Sequence, residues 1–321
     1  EGAAEAVSTF RTAAELCSES GNFIFNHNEA ILYKWVEEYE PSLFTKIQKL
    51  VKKGKWHIMG GWYLQPDCNM PSGETFIRHI IAGKNYFREK FGVEAKTAIN
   101  FDPFGHSRGI VQIMAKCGYD SYLFCRPGQN DCQLPDDVFV WKGFNNTSLL
   151  CRRISGGYNS PLGGAVKKIK DIIEKEPDKK INMILWGVGN HGGGPSRKDI
   201  ADIEKLIKDR SDEIEILHST PENYFSDLKK HGGKKIPSFS GDLNSWAVGC
   251  YSSMIRIKQK FRLLENELYM TEKMASSAYF QKLLDYPAAE LSEAQYDLLT
   301  ASFHDILPGS SIQPVEEMAL R

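Results

Sequence analysis

Three short segments place acids, imidazoles and glycines where the chain must change direction. In the first, Ile99-Asn100-Phe101-Asp102-Pro103-Phe104-Gly105-His106-Ser107, an apolar strand pattern runs into a carboxylate, Pro103 blocks further pairing and Gly105 permits a sharp turn. Asp102 therefore stands at the carboxyl end of a strand, as a reactive carboxylate or as a cap of the turn, and His106 reads first as a packed, hydrogen-bonded core residue. In the second, Trp186-Gly187-Val188-Gly189-Asn190-His191-Gly192-Gly193-Gly194-Pro195, the glycines let backbone approach another group closely. Its pattern fits neither a dinucleotide fingerprint nor a Gly-Lys-Ser/Thr phosphate loop. In the third, Phe303-His304-Asp305-Ile306-Leu307-Pro308-Gly309, a His-Asp pair ends a helical pattern, where an imidazolium also suits the helix dipole. Asp102, His191 and His304 together make a dispersed metal site competitive with these separate readings, since Asp and His are both good zinc ligands.

The elements that must position these residues alternate. Short apolar runs at 23–25, 56–59, 97–101, 121–124, 138–141, 148–152, 183–186 and 215–218 are separated by helical patterns at 29–53, 73–91, 110–117, 164–176 and 196–208. This βαβ rhythm predicts an α/β fold with a parallel sheet, open or closed, whose strand ends at the carboxyl side hold the site. Beyond a Pro/Gly-rich stretch at 236–243, one long helical pattern covers Tyr251 to Tyr279, and a second covers Ser292 to Phe303 with Ser292 and Gln295 as a capping box. The expected division is 1–240 for the α/β part and 241–321 for the start of a helical bundle that brings His304 and Asp305. Residues Glu1 to Cys17 read as an amphipathic helix already under way, with Ala6, Phe10, Ala13, Ala14 and Cys17 on one face, so we expect the natural start to lie upstream.

Composition excludes several classes. Charged residues are 25% of the 321 and balance to a formal charge of −1, which argues against a nucleic-acid partner. No apolar run approaches the roughly 20 residues needed to span a bilayer. Seven cysteines without C-x-x-C spacing suggest neither a disulfide framework nor a zinc ribbon and fit a reducing, cytoplasmic compartment. The Asn145-Asn146-Thr147 sequon carries little weight, and Lys229 to Lys235 reads as a solvated loop. Most of the six tryptophans are expected in the core, with one or two in Gly-rich segments free to stack on a sugar ring.

Asp102 to Ser107 resembles the D-P-F-G-H-S motif of family 38 α-mannosidases, a glycoside hydrolase family, and the resemblance covers nearly the whole chain. Gly60-Gly61-Trp62-Tyr63 with Pro71-Ser72-Gly73-Glu74, Arg126, Gly189 to Pro195, Gly249-Cys250-Tyr251-Ser252-Ser253 and His304-Asp305 occur in the family's order, with wording closest to its bacterial and cytosolic branch. The resemblance implies a distorted seven-stranded β/α barrel followed by a helical bundle. It implies retaining, exo-acting hydrolysis of terminal α-linked mannose in glycans, with Zn2+ as cofactor; a homo-oligomer is left open. Asp102 would be nucleophile and zinc ligand, His304 a second ligand, and Arg126, Tyr158, Asn190 and Asp305 contacts to the sugar or the nucleophile. The family's other two zinc ligands, a His-x-Asp pair on the first strand, have no counterpart here, since His27-Asn28-Glu29 falls on the second strand and Glu29 reads as a supporting residue. Weak zinc binding and little activity are therefore expected of this chain alone. Relatives carry an acid where this sequence has Asn190-His191, so His191, which can titrate near neutrality, is the candidate acid/base, with Asp131 and Asp242 in reserve. A polysaccharide deacetylase-like metal hydrolase and a non-catalytic carbohydrate-binding remnant are the alternatives.

Overall fold

The first helix, α1 (Gly2–Glu19), buries the face formed by Ala6, Phe10, Ala13, Ala14 and Cys17, as its spacing predicts. It comes from a computed structural model that describes residues 2–154, 156–189, 193–231, 235–244 and 246–321. Strand β1 (Phe25–His27) leads to α2 (Ala30–Tyr39) and α3 (Pro41–Lys52), then β2 (Trp56–Ile58) and α4 (Gly73–Phe91). The single helix predicted over 29–53 is two helices. Pro41 has no N–H to give and disfavours helical backbone at Glu40, so the chain breaks there and Pro41 opens the next helix. By contrast α4 has the predicted bounds, because Ser72 accepts a hydrogen bond from Thr75 N at 3.3 Å and Gly92 closes the helix at φ 68°.

Strands β1 and β2 pair in parallel. A second sheet, of mixed direction, has the order β3 (Thr97–Asn100), β4 (Ser121–Phe124), β6 (Ser148–Arg153), β5 (Val138–Lys142), β7 (Ser238–Phe239). Within it β3, β4 and β6 run parallel and β5 is antiparallel to β6. One backbone bond, Gly60 N to Thr97 O at 3.1 Å, links the two sheets. A closed seven-stranded barrel is not formed among the described residues. The stretches 183–186 and 215–218, predicted as strands, belong to neither sheet. Residues 183–186 nonetheless alternate as a strand would: Met183 and Leu185 pack with Met59, Ile99, Leu123 and Leu150, while Ile184 and Trp186 pack toward α6 (Ala165–Lys175) and α7 (Arg197–Asp209). The alternation correctly marks two buried faces, but it specifies no pairing partner. The Leu185 carbonyl instead accepts from the Lys168 ammonium at 2.6 Å.

Helix α5 (Gly109–Lys116) and α4 cover the outer face of the larger sheet, and α8 (Pro221–His231), absent from the sequence reading, inserts Tyr224 and Phe225 beneath the inner face. The long pattern from Tyr251 divides into a 3-10 turn (Val248–Ser252) and α9 (Ile255–Phe280). Helix α10 runs from Ala288 to Ala301, so Ser292 lies inside it and the expected capping box does not form. Gln295 accepts from Arg78 on α4 at 2.9 Å instead. With α11 (Gln313–Ala319), α9 and α10 enclose a cluster of their own around Ile257, Phe261, Leu268, Leu298 and Leu307. No helix among the described residues is long and apolar enough to cross a membrane.

Candidate active site

Register places the first two site residues side by side. Asn100 on β3 lies opposite Phe124 on β4, and two residues further along each parallel strand come Asp102 and Arg126. The Arg126 guanidinium contacts Asp102 Oδ1, and its Nη1 also donates to the Asp102 carbonyl at 3.2 Å. One side chain thus holds the charge, by an ion-pair contact, and the backbone, by a hydrogen bond.

The turn after Asp102 is clamped from below. His106 exchanges two backbone bonds of 2.9 Å with Leu243, and a side chain at Gly105 (φ 145°) would come within 2.6 Å of Asn244 Oδ1. Only glycine fits there. His106 is fully buried; its Nε2 donates to the Arg126 carbonyl at 2.8 Å and its Nδ1 accepts from Tyr122 at 2.8 Å. Burial pushes its pKa down to about 4, so the ring is neutral and serves as a strut beneath Arg126. The packed-core reading of His106 is the one observed.

Tyr158 arrives from the loop after β6, stacks on Phe101 at 6.1 Å between centroids and lies against Asp102; burial, with that carboxylate beside it, pushes the phenol up to about 12. The loop is tied by Lys168, whose ammonium donates to the carbonyls of Gly157 (2.9 Å), Asn159 (3.0 Å) and Leu185 (2.6 Å). On the other flank Trp246 stacks on Phe104 at 5.4 Å, and Arg126 sits 4.6 Å above its ring.

His304 comes from the turn after α10. Its Nδ1 donates to the Gln65 carbonyl at 2.9 Å, and its Nε2 lies 3.9 Å from Asp102 Oδ2 and 4.0 Å from Asp305 Oδ2. This is the tautomer of a metal-binding imidazole, and the gap to Asp102 is slightly wider than the ~3.4 Å edge expected for two zinc ligands at about 2.1 Å. The pair fits two corners of a zinc site. Among the described residues no group of three or more His, Cys, Asp or Glu is arranged to complete it. Asp305 is half exposed and accepts from Ser310 at 3.3 Å.

The structure thus brings Asp102, Arg126, Tyr158, His304 and Asp305 together. Asn190 and His191 lie outside the described residues; the neck of their loop is closed by Val188 and Gly194, bonded reciprocally at 2.8 and 2.6 Å. The reserve acids are not in contact with Asp102: Asp242 accepts from Arg108 N at 2.6 Å, and Asp131 folds back toward Gly128. Sequence reasoning overlooked the loop Gln65–Asn69. Asp67, fully buried, accepts from Met70 N (2.7 Å), Asn69 N (3.2 Å) and Tyr251 (2.9 Å), while its own N–H donates to Ser302 O at 2.8 Å; burial pushes its carboxyl up. The only hint was the cluster of polar residues directly after the Gly60-Gly61-Trp62-Tyr63 turn.

Residues 1–247 match the Glycosyl hydrolases family 38 N-terminal domain, and residues 246–321 match the Alpha mannosidase middle domain. Alpha-mannosidase G of Dictyostelium discoideum is 31% identical over 93% of this chain, and human Alpha-mannosidase 2C1 is 29% identical over 96%. The chain spans only 28% and 30% of the length of those two relatives. The crystal structure of an alpha-mannosidase from Enterococcus faecalis V583 superposes on 98% of this chain and 37% of its own with a TM-score of 0.80 at 19% identity, a likeness of fold. With a family model matched over most of its length and the expected motifs in order, the chain belongs to glycoside hydrolase family 38.

Proposed function

We propose that the chain carries the nucleophile of a zinc-dependent, retaining α-mannosidase that removes terminal α-linked mannose from glycans. The observation that supports this best is the convergence of Asp102 and His304, from the end of β3 and the turn after α10, with His304 Nε2 3.9 Å from the carboxylate and Nδ1 bonded to the Gln65 carbonyl. Asp102 attacks the anomeric carbon from the face opposite the aglycone, the glycosidic C–O bond breaks as the acid/base group protonates the leaving oxygen, and a glycosyl ester forms. Water, deprotonated by the same group, then displaces the carboxylate from the face the aglycone left, and the two inversions give net retention. Arg126 keeps Oδ1 engaged so that one oxygen is presented to the sugar. Tyr158, protonated at any physiological pH, is a hydrogen-bond donor to Asp102 or to a sugar hydroxyl. Asp102 and His304 would hold zinc, with Asp305 beside them, and the bound ion would supply a Lewis-acid grip on vicinal sugar hydroxyls. His191 is proposed as acid/base and Asn190 as a sugar contact on sequence grounds alone. Phe104 and Trp246 offer an aromatic face beside Arg126 of the kind sugars stack on. The seven free thiols suit a cytoplasmic setting, which is part of the same proposal.

The test is the stereochemistry of methanolysis of an aryl α-mannoside by the protein carrying this sequence. Methyl α-mannoside, read by NMR, is expected. The β-anomer would overturn retention, and release of acetate from an acetylated sugar in place of mannose would favour the metal-hydrolase alternative.

A further inference from the structure

Glu29, Phe101 and His304 come from three separate parts of the fold, and one residue bonds to all of them. The Gln65 side-chain oxygen accepts from Phe101 N at 2.8 Å, immediately before Asp102. Its backbone N–H donates to Glu29 Oε1 at 2.9 Å, with its side-chain amide bonded to the same carboxylate. Its carbonyl accepts from His304 Nδ1 at 2.9 Å. Every polar group of Gln65 is therefore in use, in a loop that carries no regular secondary structure of its own.

Glu29 is held in an uncommon conformation for this purpose. It sits at φ 60°, ψ 101°, a region that favours glycine, at the entrance to α2. Such strain persists only where neighbouring bonds over-determine it. Ala30 N and Ile31 N donate to the carbonyls of Trp62 and Tyr63 at 3.0 Å, so the two chain segments run together and bring the Glu29 carboxylate to Gln65.

We propose that Gln65 is a positioning residue: by joining the ends of β1 and β3 to the turn after α10, it sets the His304 ring against Asp102. The path from one functional group to the other passes through this residue. The Gln65 side chain fixes the backbone that carries Asp102, and its main chain fixes the imidazole plane and tautomer. It touches neither sugar nor reacting atoms, so its effect falls on geometry.

The experiment compares Gln65→Met, Gln65→Glu and the exchange pair Glu29→Gln with Gln65→Glu. Methionine keeps the length and removes the side-chain bonds to both Phe101 and Glu29. Glutamate alone sets two carboxylates against each other. The exchange pair restores one donor and one acceptor in reversed order. In the protein carrying this sequence we expect Gln65→Met and Gln65→Glu to lower kcat on an aryl α-mannoside by about 10- to 100-fold, with a smaller change in KM. The exchange pair should recover to within about threefold of the unmodified protein. Activity that falls only with the folded fraction, or an exchange pair no better than Gln65→Glu, would overturn the proposal.

This kinetic arm rests on the mannosidase reading. A second arm does not: 15N NMR of the histidine rings should show His304 protonated at Nδ1 in the unmodified protein and a shifted Nδ1–H resonance or mixed tautomers in folded Gln65→Met. An unchanged His304 spectrum in that variant overturns the positioning role whatever the turnover. Lack of turnover in the unmodified protein, with the NMR change present, refutes the mannosidase reading and leaves Gln65 as the link between the two groups.

Discussion

The site has two walls built on different principles. The wall at the ends of β3 and β4 is a parallel ladder extended by two residues: Asp102 and Arg126 inherit their adjacency from backbone register, and His106 braces them from below. The facing wall, residues 181–189, has the same two-sided apolar alternation but no ladder among the described residues. Side chains hold it, through Lys168 on the Leu185 carbonyl and Ser160, whose hydroxyl accepts from Gly187 N at 3.2 Å while its N–H donates to Gly187 O at 2.7 Å. A ladder distributes its hold over many bonds; side-chain ties concentrate it in a few. The first wall should therefore tolerate loss of a functional side chain without unfolding, and the second should lose order when one tie is cut.

The largest expected effect breaks the first wall's chemistry and not its structure. Asp102→Ala should lower turnover of an aryl α-mannoside by at least about 10³-fold, as loss of a covalent nucleophile does. Its circular dichroism and melting temperature should stay close to those of the unmodified protein, since β3 and its ladder end before residue 102. Retention of more than a few per cent of activity would exclude Asp102 as the nucleophile.

Cutting the main tie of the second wall should do the reverse. In Lys168→Met the stem remains while the carbonyls of Gly157, Asn159 and Leu185 lose a shared donor; the Gly157 and Leu185 bonds are part-buried and the Asn159 bond is exposed, so the loss costs about 1 kcal/mol. Tyr158 rides on the same loop, so KM should rise by about tenfold while kcat changes less. Hydrogen exchange should quicken at 156–160 and 185–189 and stay unchanged along β3 and β4. Uniform quickening throughout the sheet would show that the two walls are not independent.

The same contrast explains what the sequence reveals. Asp102 is legible because an apolar run that ends in a polar residue announces a strand end, whereas Arg126 is legible only through motif order. Helix α4 is legible to the residue because Ser72 and Gly92 are explicit stop signals. The 183–186 stretch is legible as alternation, but a period of two says which faces are buried, not which chain lies alongside. Helix α10 shows the same limit from the other side: Ser292 and Gln295 fit a cap, yet Pro287 starts the helix earlier and tertiary contact with Arg78 claims Gln295. Gln65 was invisible because two of its bonds use main-chain atoms, which any residue possesses. The closeness of His304 to Asp102 depends on that same loop.

The smallest expected effect concerns the braces under the first wall and reads as pH dependence. His106 is held neutral with its pKa pushed down to about 4, and His27 and His79 are likewise pushed down by burial, to about 4 and about 3. An unfolded chain takes up a proton at each of these rings below about pH 6.5, whereas the folded one does not until near pH 4. The unfolded state thus binds more protons in that window, and stability falls as pH is lowered through it. Each ring contributes a slope of at most about 1.4 kcal/mol per pH unit. His106→Gln, which keeps a donor and an acceptor near the positions used by Arg126 O and Tyr122, should remove one ring's share: denaturation midpoints at pH 7 and pH 5 should lie closer together than in the unmodified protein. Lys168→Met should leave that slope as it was while lowering both midpoints. If His106→Gln left the slope intact, the ring would have to be protonated in the folded state, and the brace beneath Arg126 would be a cation instead of a neutral strut.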